Sequence, residues 1–421
     1  MDSHSPPLKT ADYIIVGGGT SGLVMANLLS EDPTVSILVL ESGPNRAKDS
    51  YITDLMAWLK HPAGHVLGGS SAINSLVFVP PSAAGLNTWE QMGNPGWNWQ
   101  TFNQKYAYTS KLVLERPTVG TRPYTATINP NCAQRSSADV TYSAVAAQHP
   151  NLTILTAATV HRIMFNSPAV GDRYRAAWIL VEITDNPDLK LVRTNRKIVL
   201  AAGVFQTPKL LELNRGVGAN MQNHLIAIIP CLLSRISEIE DLNPGFQALA
   251  FIRLNNQKDL RLLDQFLSSE RSATSGRTQA IELILANLDK ASACIFLSTI
   301  PGPVALFGLI PCFLLSQAVQ YLSITPSLHK FFDRGLAPTE ASLEITKAAV
   351  RKKALTTHHT CGSVAILPLE KKKVVYSTLT VYGTTNLRVV DASIFPLMPH
   401  ANPMATVYAV AERAADILKS L

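Results

Sequence analysis

The sequence predicts an α/β fold, and three features of the chain support this class. Apolar runs rich in β-branched residues alternate with helical patterns at both ends, whereas the middle is irregular and has no repeat. Apolar residues make up 47% and charged residues 16% of the 421 positions, so the chain can bury a large core. Because alternating strands and helices favour a parallel sheet, we expect one α/β domain assembled from distant segments, with a second domain of α+β type inserted into it.

Strand and helix patterns can be placed along the chain. Residues 12–16 and 35–40 are apolar runs on either side of a helical pattern over 20–29, a unit for which a right-handed crossover is expected. A hydroxyl residue followed by proline at positions 207–208 predicts that a further helix begins there, with Thr207 as its cap.

A glycine motif connects the first strand to its helix. Gly17, Gly19 and Gly22 have the G-x-G-x-x-G spacing, and Glu41 ends the next strand. The first glycine permits a tight turn, the second lets backbone approach a pyrophosphate, and the third lets the helix pack on the strand. The helix N-terminus offers free N–H groups to phosphates, and an acidic side chain can bind a ribose diol. The motif predicts a dinucleotide site, but by itself it does not distinguish FAD from NAD.

Four further segments carry recognisable motifs. They are residues 68–74 (GGSSAIN), 202–211 (AGVFQTPKLL), 218–224 (GANMQNH) and the nearly continuous stretch 381–414. With the glycine motif they make five ordered motifs that resemble those of the glucose-methanol-choline (GMC) FAD-dependent oxidoreductases. The best matches cover about half of the chain, and they look most like a shortened fungal member acting in secondary metabolism.

This resemblance implies a truncated version of the GMC fold. An FAD-binding domain of Rossmann type would be discontinuous, comprising residues 8–105, 151–221 and 380–421. A substrate-binding domain would comprise residues 106–150 and 222–379. That second domain would be reduced, because the chain is shorter than is usual for the family.

The resemblance also implies which residues bind FAD. The expected contacts are Gly17, Gly19, Thr20, Ser21, Gly22, Glu41, Ser70, Asn74, Ser75, Leu76, Val77, Val160, Asp391, Ala392, Pro403 and Met404. The backbone of Val160 would meet the adenine, although this position reads equally well as a core strand residue. Ala392, Pro403 and Met404 would lie near the isoalloxazine.

A histidine and an asparagine are the candidate catalytic residues. His359 takes the position of the family's active-site histidine in residues 358–363 (HHTCGS), and an imidazole can accept a proton near neutral pH. Asn402 takes the second position, where relatives carry histidine or asparagine. Its amide can donate to an alcohol oxygen, and it also suits the cap of a helix that begins with Pro403. His400 is an alternative polar group at this place.

The candidate residues imply a reaction class. We expect FAD-dependent oxidation of a small-molecule alcohol, aryl or polyketide-derived, with proton abstraction by His359 and hydride transfer to the flavin. Oxygen or another acceptor would then reoxidise the flavin. Two alternatives stay open: a flavin-bound protein with a non-redox role such as directing a cyclisation, and a degenerate, inactive family member. His359 and Asn402 favour oxidation, whereas the missing segments favour the inactive member.

Charge, cysteines and hydropathy argue against several other classes. The net charge of +7 comes from scattered lysines and arginines, so we expect no nucleic-acid partner. None of the five cysteines forms a C-x-x-C pair, so no metal site is predicted. Residues 1–10 lack the apolar stretch of a signal peptide, so a cytoplasmic location is expected. Residues 291–328 are uncharged but are broken by glycines and prolines, so we expect buried strands or helices rather than a membrane span. The sequence does not determine the oligomeric state.

Overall fold

The computed structural model describes two large sheets and several helices. The described residues are 10–49, 52, 63–110, 120–122, 125–166, 173–184, 186–211, 216–232, 245–252, 293–299, 304–310, 352, 354–368 and 374–420. The strands are β1 (Thr10–Val16), β2 (Ile37–Leu40), β3 (Val77–Phe78), β4 (Gly120–Arg122), β5 (Thr125–Ala126), β6 (Ile128–Asn129), β7 (Gln134–Arg135), β8 (Leu152–Leu155), β9 (Ala158–Asn166), β10 (Arg175–Ile183), β11 (Asn186–Leu200), β12 (Leu225–Leu232), β13 (Gly245–Ile252), β14 (Ala293–Thr299), β15 (Val304–Ile310), β16 (Ala354–Thr356) and β17 (Leu387–Val389). The helices are α1 (Thr20–Ser30), α2 (Ala83–Gln91), α3 (Trp99–Ser110), α4 (Tyr142–Ala146), α5 (Gly203–Lys209) and α6 (Pro403–Lys419), with 3₁₀ turns at Gly69–Ala72 and Ala392–Ile394.

The first sheet carries the glycine motif. Among the described residues it has seven strands in the order β8-β2-β1-β11-β10-β9, and β17 is a further partner of β11. The pairs β8–β2, β2–β1, β1–β11 and β11–β17 are parallel, whereas the pairs β11–β10 and β10–β9 are antiparallel. Ile14 and Ile15 point to opposite faces of β1, and both are fully buried. Burial on both faces is the reason that this strand is a continuous apolar run.

Strand β11 joins distant parts of the chain in this sheet. Leu191 in its first half pairs with Leu180 of β10. Near the C-terminal end of β11, Ile198 pairs with Ile14 of β1 on one side and with Leu387 of β17 on the other. The N-terminal strand and the C-terminal segment therefore meet through β11. The sheet confirms the predicted α/β class.

The two terminal helices share one layer. α1 and α6 pack against each other, α1 also contacts β1 and β2, and α3 packs against α6. The buried face of α6 is built mainly of small residues, including Ala405, Ala409 and Ala414. Small side chains let neighbouring helices approach closely, so α6 packs directly against α1, the helix that follows the glycine motif.

A second sheet is formed by segments from the middle of the chain. Its strands, as far as they are described, have the order β16-β12-β15-β14-β13-β4, and every pair is antiparallel. The uncharged stretch 291–328 supplies β14 and β15 as adjacent strands, and its other residues lie outside the described part. Within the described residues, no helix has the length and apolar character that crossing a bilayer requires. The exact domain boundaries stay a prediction.

The helix predicted to begin at Thr207 begins earlier. α5 starts at Gly203 and contains Pro208, so Thr207 is not its cap. Proline has no N–H for the carbonyl of Val204, and the hydroxyl of Ser363 donates to that carbonyl instead, at 2.8 Å. A side chain from a distant motif thus replaces the hydrogen bond that the proline removes.

Candidate active site

The turn after β1 has the geometry that its glycines predicted. Gly17 has φ +106°, a conformation that disfavours any residue with a Cβ, and an added Cβ would lie 2.4 Å from the carbonyl oxygen of Ala201. At Gly22 an added Cβ would lie 1.9 Å from the carbonyl oxygen of Gly17. Both positions therefore need glycine for the packing of the protein itself.

Gly19 differs, because a side chain there would cause no clash within the protein. An added Cβ would meet no other atom closer than the Cα of Gly69, at 3.8 Å. Gly19 is the N-cap of α1, no side chain caps it, and no acidic residue stands in the first turn. The helix therefore presents its N–H groups and the positive end of its dipole to a clear surface beside Thr20 and the buried Ser21. These features fit a dinucleotide pyrophosphate.

Glu41 is buried directly after β2, where its side chain stabilises the glycine turn by hydrogen bonds. Its two carboxylate oxygens accept 2.7 Å hydrogen bonds from the N–H groups of Gly18 and Gly43. Burial raises the pKa of the Glu41 carboxyl above its ordinary value, and these two bonds oppose the rise. A carboxylate has about four lone-pair sites, so Glu41 keeps acceptor capacity for a ribose diol.

Val160 lies near this acidic residue. The N–H of Ala158, two residues before it in β9, donates to the carbonyl of Glu41 at 2.8 Å. Val160 is half-buried and pairs with Val181 of β10. The start of β9 is thus on the Glu41 side of the sheet, where an adenine contact was predicted, and the contact itself stays a prediction.

The loop after the 3₁₀ turn Gly69–Ala72 reaches the C-terminal helix. The Nδ2 of Asn74 lies 2.7 Å from the Sδ of Met404, next to Pro403 in the first turn of α6. Ser70 and Ser75 are exposed. Two segments predicted to hold flavin, 330 positions apart, are therefore in contact.

Leu76 holds an unusual backbone conformation in the same loop. Its φ is +68°, in the left-handed region that residues with a branched or bulky side chain rarely occupy. The Leu76 N–H donates to Asn74 Oδ1 at 3.0 Å, and its carbonyl accepts from the N–H of Thr127 at 2.9 Å. Such conformations concentrate at ligand sites, where surrounding bonds enforce them. Val77 follows directly as the start of β3.

Arg135 supports this loop, and no feature of the sequence predicted this role. Its Nη1 donates to the carbonyl and the Oδ1 of Asn74, at 2.7 and 2.9 Å, and its Nε donates to the carbonyl of Ile52 at 3.0 Å. The side chain is buried, and burial lowers the pKa of the guanidinium. Only the folded chain brings Arg135 to Asn74, because the two lie 61 positions apart and Arg135 belongs to none of the five motifs.

Asp391 joins two of the sequence motifs. Its Oδ2 accepts from the N–H of Gly203 at 2.9 Å and from the hydroxyl of Thr207 at 2.7 Å, and its Oδ1 accepts from the N–H of Ser393 at 2.8 Å. Asp391 is buried, and burial raises the pKa of its carboxyl. The observed role of this carboxylate is to fix the 3₁₀ turn that begins at Ala392, and its predicted FAD contact stays a prediction.

His359 and Asn402 are brought together by the fold. Asn402 Nδ2 lies 3.3 Å from His359 Nε2, although 43 positions separate the residues. Asn402 stands at the N-cap position of α6, but its side chain makes no capping hydrogen bond. The predicted double role of Asn402 is therefore wrong in one part, because the amide faces His359 instead of the helix. His400 is exposed.

A second histidine contacts His359 from the other side. His224 Nδ1 lies 3.0 Å from His359 Nδ1, with the ring planes at 79°. Burial, and then the neighbouring His358, lower the pKa of His359 to about 4. Burial, and then His359 and His400, also lower the pKa of His224. Both rings are therefore neutral at neutral pH, the state in which an imidazole can accept a proton.

A backbone ladder holds the two histidines in place. Gln222 and Cys361 exchange two N–H···O bonds of 2.9 Å, and the N–H of His359 donates to Asn223 Oδ1 at 3.1 Å. The side chain of Gln222 also accepts from the N–H of Met398, four residues before Asn402. The motif at residues 218–224 therefore aligns both candidate catalytic residues. In the sequence, only the resemblance of residues 218–224 to a family motif drew attention to this segment.

Family comparisons agree with this arrangement. A sequence model described as GMC oxidoreductase, for the N-terminal part, matches residues 11–134 and 125–226, which is more than half of the 421 positions. A second model of the same description, for the C-terminal part, matches residues 313–411. The chain belongs to the GMC oxidoreductase family. The resemblance found in the five motifs is confirmed, and the chain is an FAD-dependent oxidoreductase with FAD as its cofactor.

Individual GMC relatives share the fold at low sequence identity. Mala s 12 of Malassezia sympodialis, a GMC oxidoreductase family protein, is 23% identical over 580 aligned positions that cover 97% of this chain and 92% of the relative. An FAD-dependent oxidoreductase from Chaetomium thermophilum has a TM-score of 0.83 at 19% identity, with 97% and 99% of the two chains covered. A fungal aryl-alcohol oxidase has a TM-score of 0.79 at 20% identity, with 97% and 99% covered. The 580 aligned positions exceed the 421 residues of this chain, so it is a shortened member.

Proposed function

We propose that this GMC oxidoreductase oxidises a small-molecule alcohol to the carbonyl compound, and that the alcohol is aryl or polyketide-derived. The contact of 3.3 Å between His359 Nε2 and Asn402 Nδ2 carries this proposal. It places a neutral base and an amide donor side by side at the start of α6. Two residues further on, Met404 touches the Asn74 loop, so the pair lies beside the segments predicted to hold the flavin.

Each residue has a separate task in this proposal. His359 Nε2 accepts the hydroxyl proton, and the low pKa of the half-buried ring keeps it unprotonated at neutral pH. The Asn402 amide donates to the alcohol oxygen and orients it, but it cannot remove a proton. FAD, when bound, supplies the acceptor for the carbinol hydride. Oxygen or another acceptor then takes the two electrons.

Support for the substrate class comes from the motifs and the relatives. The asparagine-proline sequence at Asn402 and Pro403 is similar to that of fungal members that act on aromatic polyketide products. An aryl-alcohol oxidase is among the structures that share this fold. These likenesses favour an aromatic alcohol and a role in fungal secondary metabolism.

The direct test follows the flavin absorbance of the purified protein after anaerobic addition of a benzylic alcohol. We expect the wild type to bleach, and we expect His359→Ala to stay yellow and to bleach at least about a hundredfold more slowly, the range for loss of a general base. His358→Asn is the matched control, because His358 is exposed with φ +58°, a conformation that asparagine tolerates.

Three outcomes would contradict the proposal in different ways. Equal bleaching rates in wild type and His359→Ala would remove His359 as the base. A yellow wild type that no alcohol in a panel bleaches would favour the non-redox alternative. A soluble but colourless protein that FAD does not reconstitute would favour the inactive alternative.

A further inference from the structure

The ring of His359 lies between two polar partners. One is the Asn402 amide, whose Nδ2 lies 3.3 Å from His359 Nε2. The other is His224, through the 3.0 Å contact between the two Nδ1 atoms. The amide nitrogen of asparagine can only donate, so His359 Nε2 is the acceptor and holds the lone pair.

The contact with His224 completes this assignment. A neutral imidazole has one donor and one acceptor nitrogen, so His359 Nδ1 carries the hydrogen of the shared bond and His224 Nδ1 accepts it. One tautomer of His359 therefore satisfies both of its neighbours.

We propose that His224 is a positioning residue that holds His359 in its Nδ1–H tautomer, so that the Nε2 lone pair faces the alcohol. This inference rests on the proposed function for its catalytic meaning. No bond to the substrate is made by His224 itself. When His359 Nε2 takes the alcohol proton, the bond from His359 Nδ1–H to His224 becomes charge-assisted and therefore stronger.

The backbone around His224 does not depend on its ring. The carbonyl of His224 accepts from the N–H and the hydroxyl of Thr357, at 3.2 and 2.9 Å. The Gln222–Cys361 bonds form an isolated β-bridge two residues away. A substitution at 224 that keeps side-chain volume should leave these backbone bonds, and with them the position of the His359 backbone, intact.

The tautomer can be measured without any substrate. We suggest ¹⁵N-histidine NMR of the full-length, FAD-loaded protein, with His359→Gln used to assign the His359 signals. We expect the hydrogen on Nδ1 in wild type and a mixture of tautomers in His224→Leu. His161→Leu, at an exposed histidine on β9, is the control and should leave the His359 signals unchanged.

Anaerobic flavin reduction then tests the consequence. We expect His224→Leu to lower the reduction rate per bound flavin by about 10- to 100-fold, the range found for groups that orient a functional histidine. His224→Asn should recover most of the rate, because its amide oxygen can accept from His359 Nδ1–H near the place of the lost ring nitrogen.

The inference stands if the tautomer and the rate change together and asparagine rescues both. It is overturned if wild-type His359 carries its hydrogen on Nε2, or if His224→Leu changes only one of the two quantities. Loss of bound flavin at an unchanged rate per flavin would show a merely structural role, and it would also overturn the inference. If no alcohol reduces the wild type, the proposed function fails, but the NMR result still decides the role of His224.

Discussion

Three glycines in the turn after β1 meet different physical needs. Gly17 supplies a left-handed backbone and Gly22 lets the α1 backbone pass close to that turn. Gly19 does neither, since an added methyl group would make only an ordinary contact with the Cα of Gly69, at 3.8 Å. Gly17 and Gly22 therefore serve the fold, whereas at Gly19 the predicted contact with the pyrophosphate is the reason for glycine.

Alanine substitutions should separate these two needs. We expect Gly22→Ala to lower the free energy of unfolding of the FAD-free protein by about 3 kcal/mol or more, because backbone must shift to admit the methyl group. Gly19→Ala should leave that stability nearly unchanged but weaken FAD binding at least about tenfold, or 1.4 kcal/mol. Denaturant unfolding and FAD titration measure the two effects. Full FAD affinity in Gly19→Ala would show that the pyrophosphate does not approach this residue.

The pH dependence of flavin reduction should report the depressed pKa of His359. The neutral ring is the active form, and its pKa is lowered from 6.5 to about 4. We expect a rate that is level between about pH 6 and 8 and that falls about tenfold per pH unit below about 4. Stopped-flow pH jumps would measure this. A limb centred near pH 6.5 would mean that His359 titrates like an exposed histidine.

The same shift contributes to stability. Unfolded His359 has the ordinary pKa of 6.5, so between 6.5 and about 4 the unfolded chain binds more protons than the folded one. The contribution of His359 to stability is therefore fully present above about pH 6.5, and it is lost as the pH falls towards 4.

Between the helices, turns and loops, polar side chains hydrogen-bond one motif to another. Asp391 connects α5 to the 3₁₀ turn Ala392–Ile394, and Ser363 satisfies the carbonyl that Pro208 leaves free in α5. Gln222 in turn connects the His359 segment with the loop before α6. The motifs thus have structural as well as chemical reasons to occur together.

Asp391→Asn should measure the strength of the first of these connections. The amide nitrogen of asparagine would face an N–H or hydroxyl donor, so we expect a loss of about 1 to 3 kcal/mol in the free energy of unfolding. Asp416→Asn is the control, because Asp416 is a half-exposed partner of Lys105 and such pairs contribute less than about 1 kcal/mol. Equal losses in the two variants, by denaturant unfolding, would contradict the assigned role of Asp391.

For the whole molecule, the candidate FAD site is assembled from segments near both ends of the chain. The glycine turn, Glu41, the Asn74 loop and the start of α6 belong to four separate parts of the sequence, and bound FAD would bridge them. In this chain Glu41 contacts the glycine turn, and Asn74 contacts Met404 at the start of α6.

Removal of FAD should therefore destabilise the molecule as a unit. A ligand that binds only the folded state adds about 2.7 kcal/mol of stability when its free concentration is a hundred times Kd. We expect the FAD-free protein to have a lower Tm, and we expect added FAD to raise the Tm in a concentration-dependent way. Calorimetry with an FAD series measures this, with NAD as the control. A Tm that does not respond to FAD would contradict a site built across these segments.

Much of this organisation could be predicted from the sequence, because a given local backbone conformation or degree of burial requires particular residue types at neighbouring positions. A left-handed turn at Gly17 requires glycine, a strand buried on both faces requires a continuous apolar run, and a family motif places His359. The predictions failed where a distant group changed a local preference. Thr207 and Pro208 have the local features of a helix start, yet α5 begins at Gly203, because Asp391 binds Thr207 and Ser363 binds the carbonyl of Val204.

The α/β class, the glycine turn and the family of the chain could be predicted from the order of its residues. Folding was needed to show that Asn402 faces His359 rather than capping α6, that Arg135 holds Asn74, and that His224 is the second neighbour of His359. The reason is physical. Turn conformation and strand burial depend on neighbouring residues, whereas the partner of a buried polar group is whichever side chain the folded chain brings within hydrogen-bond distance.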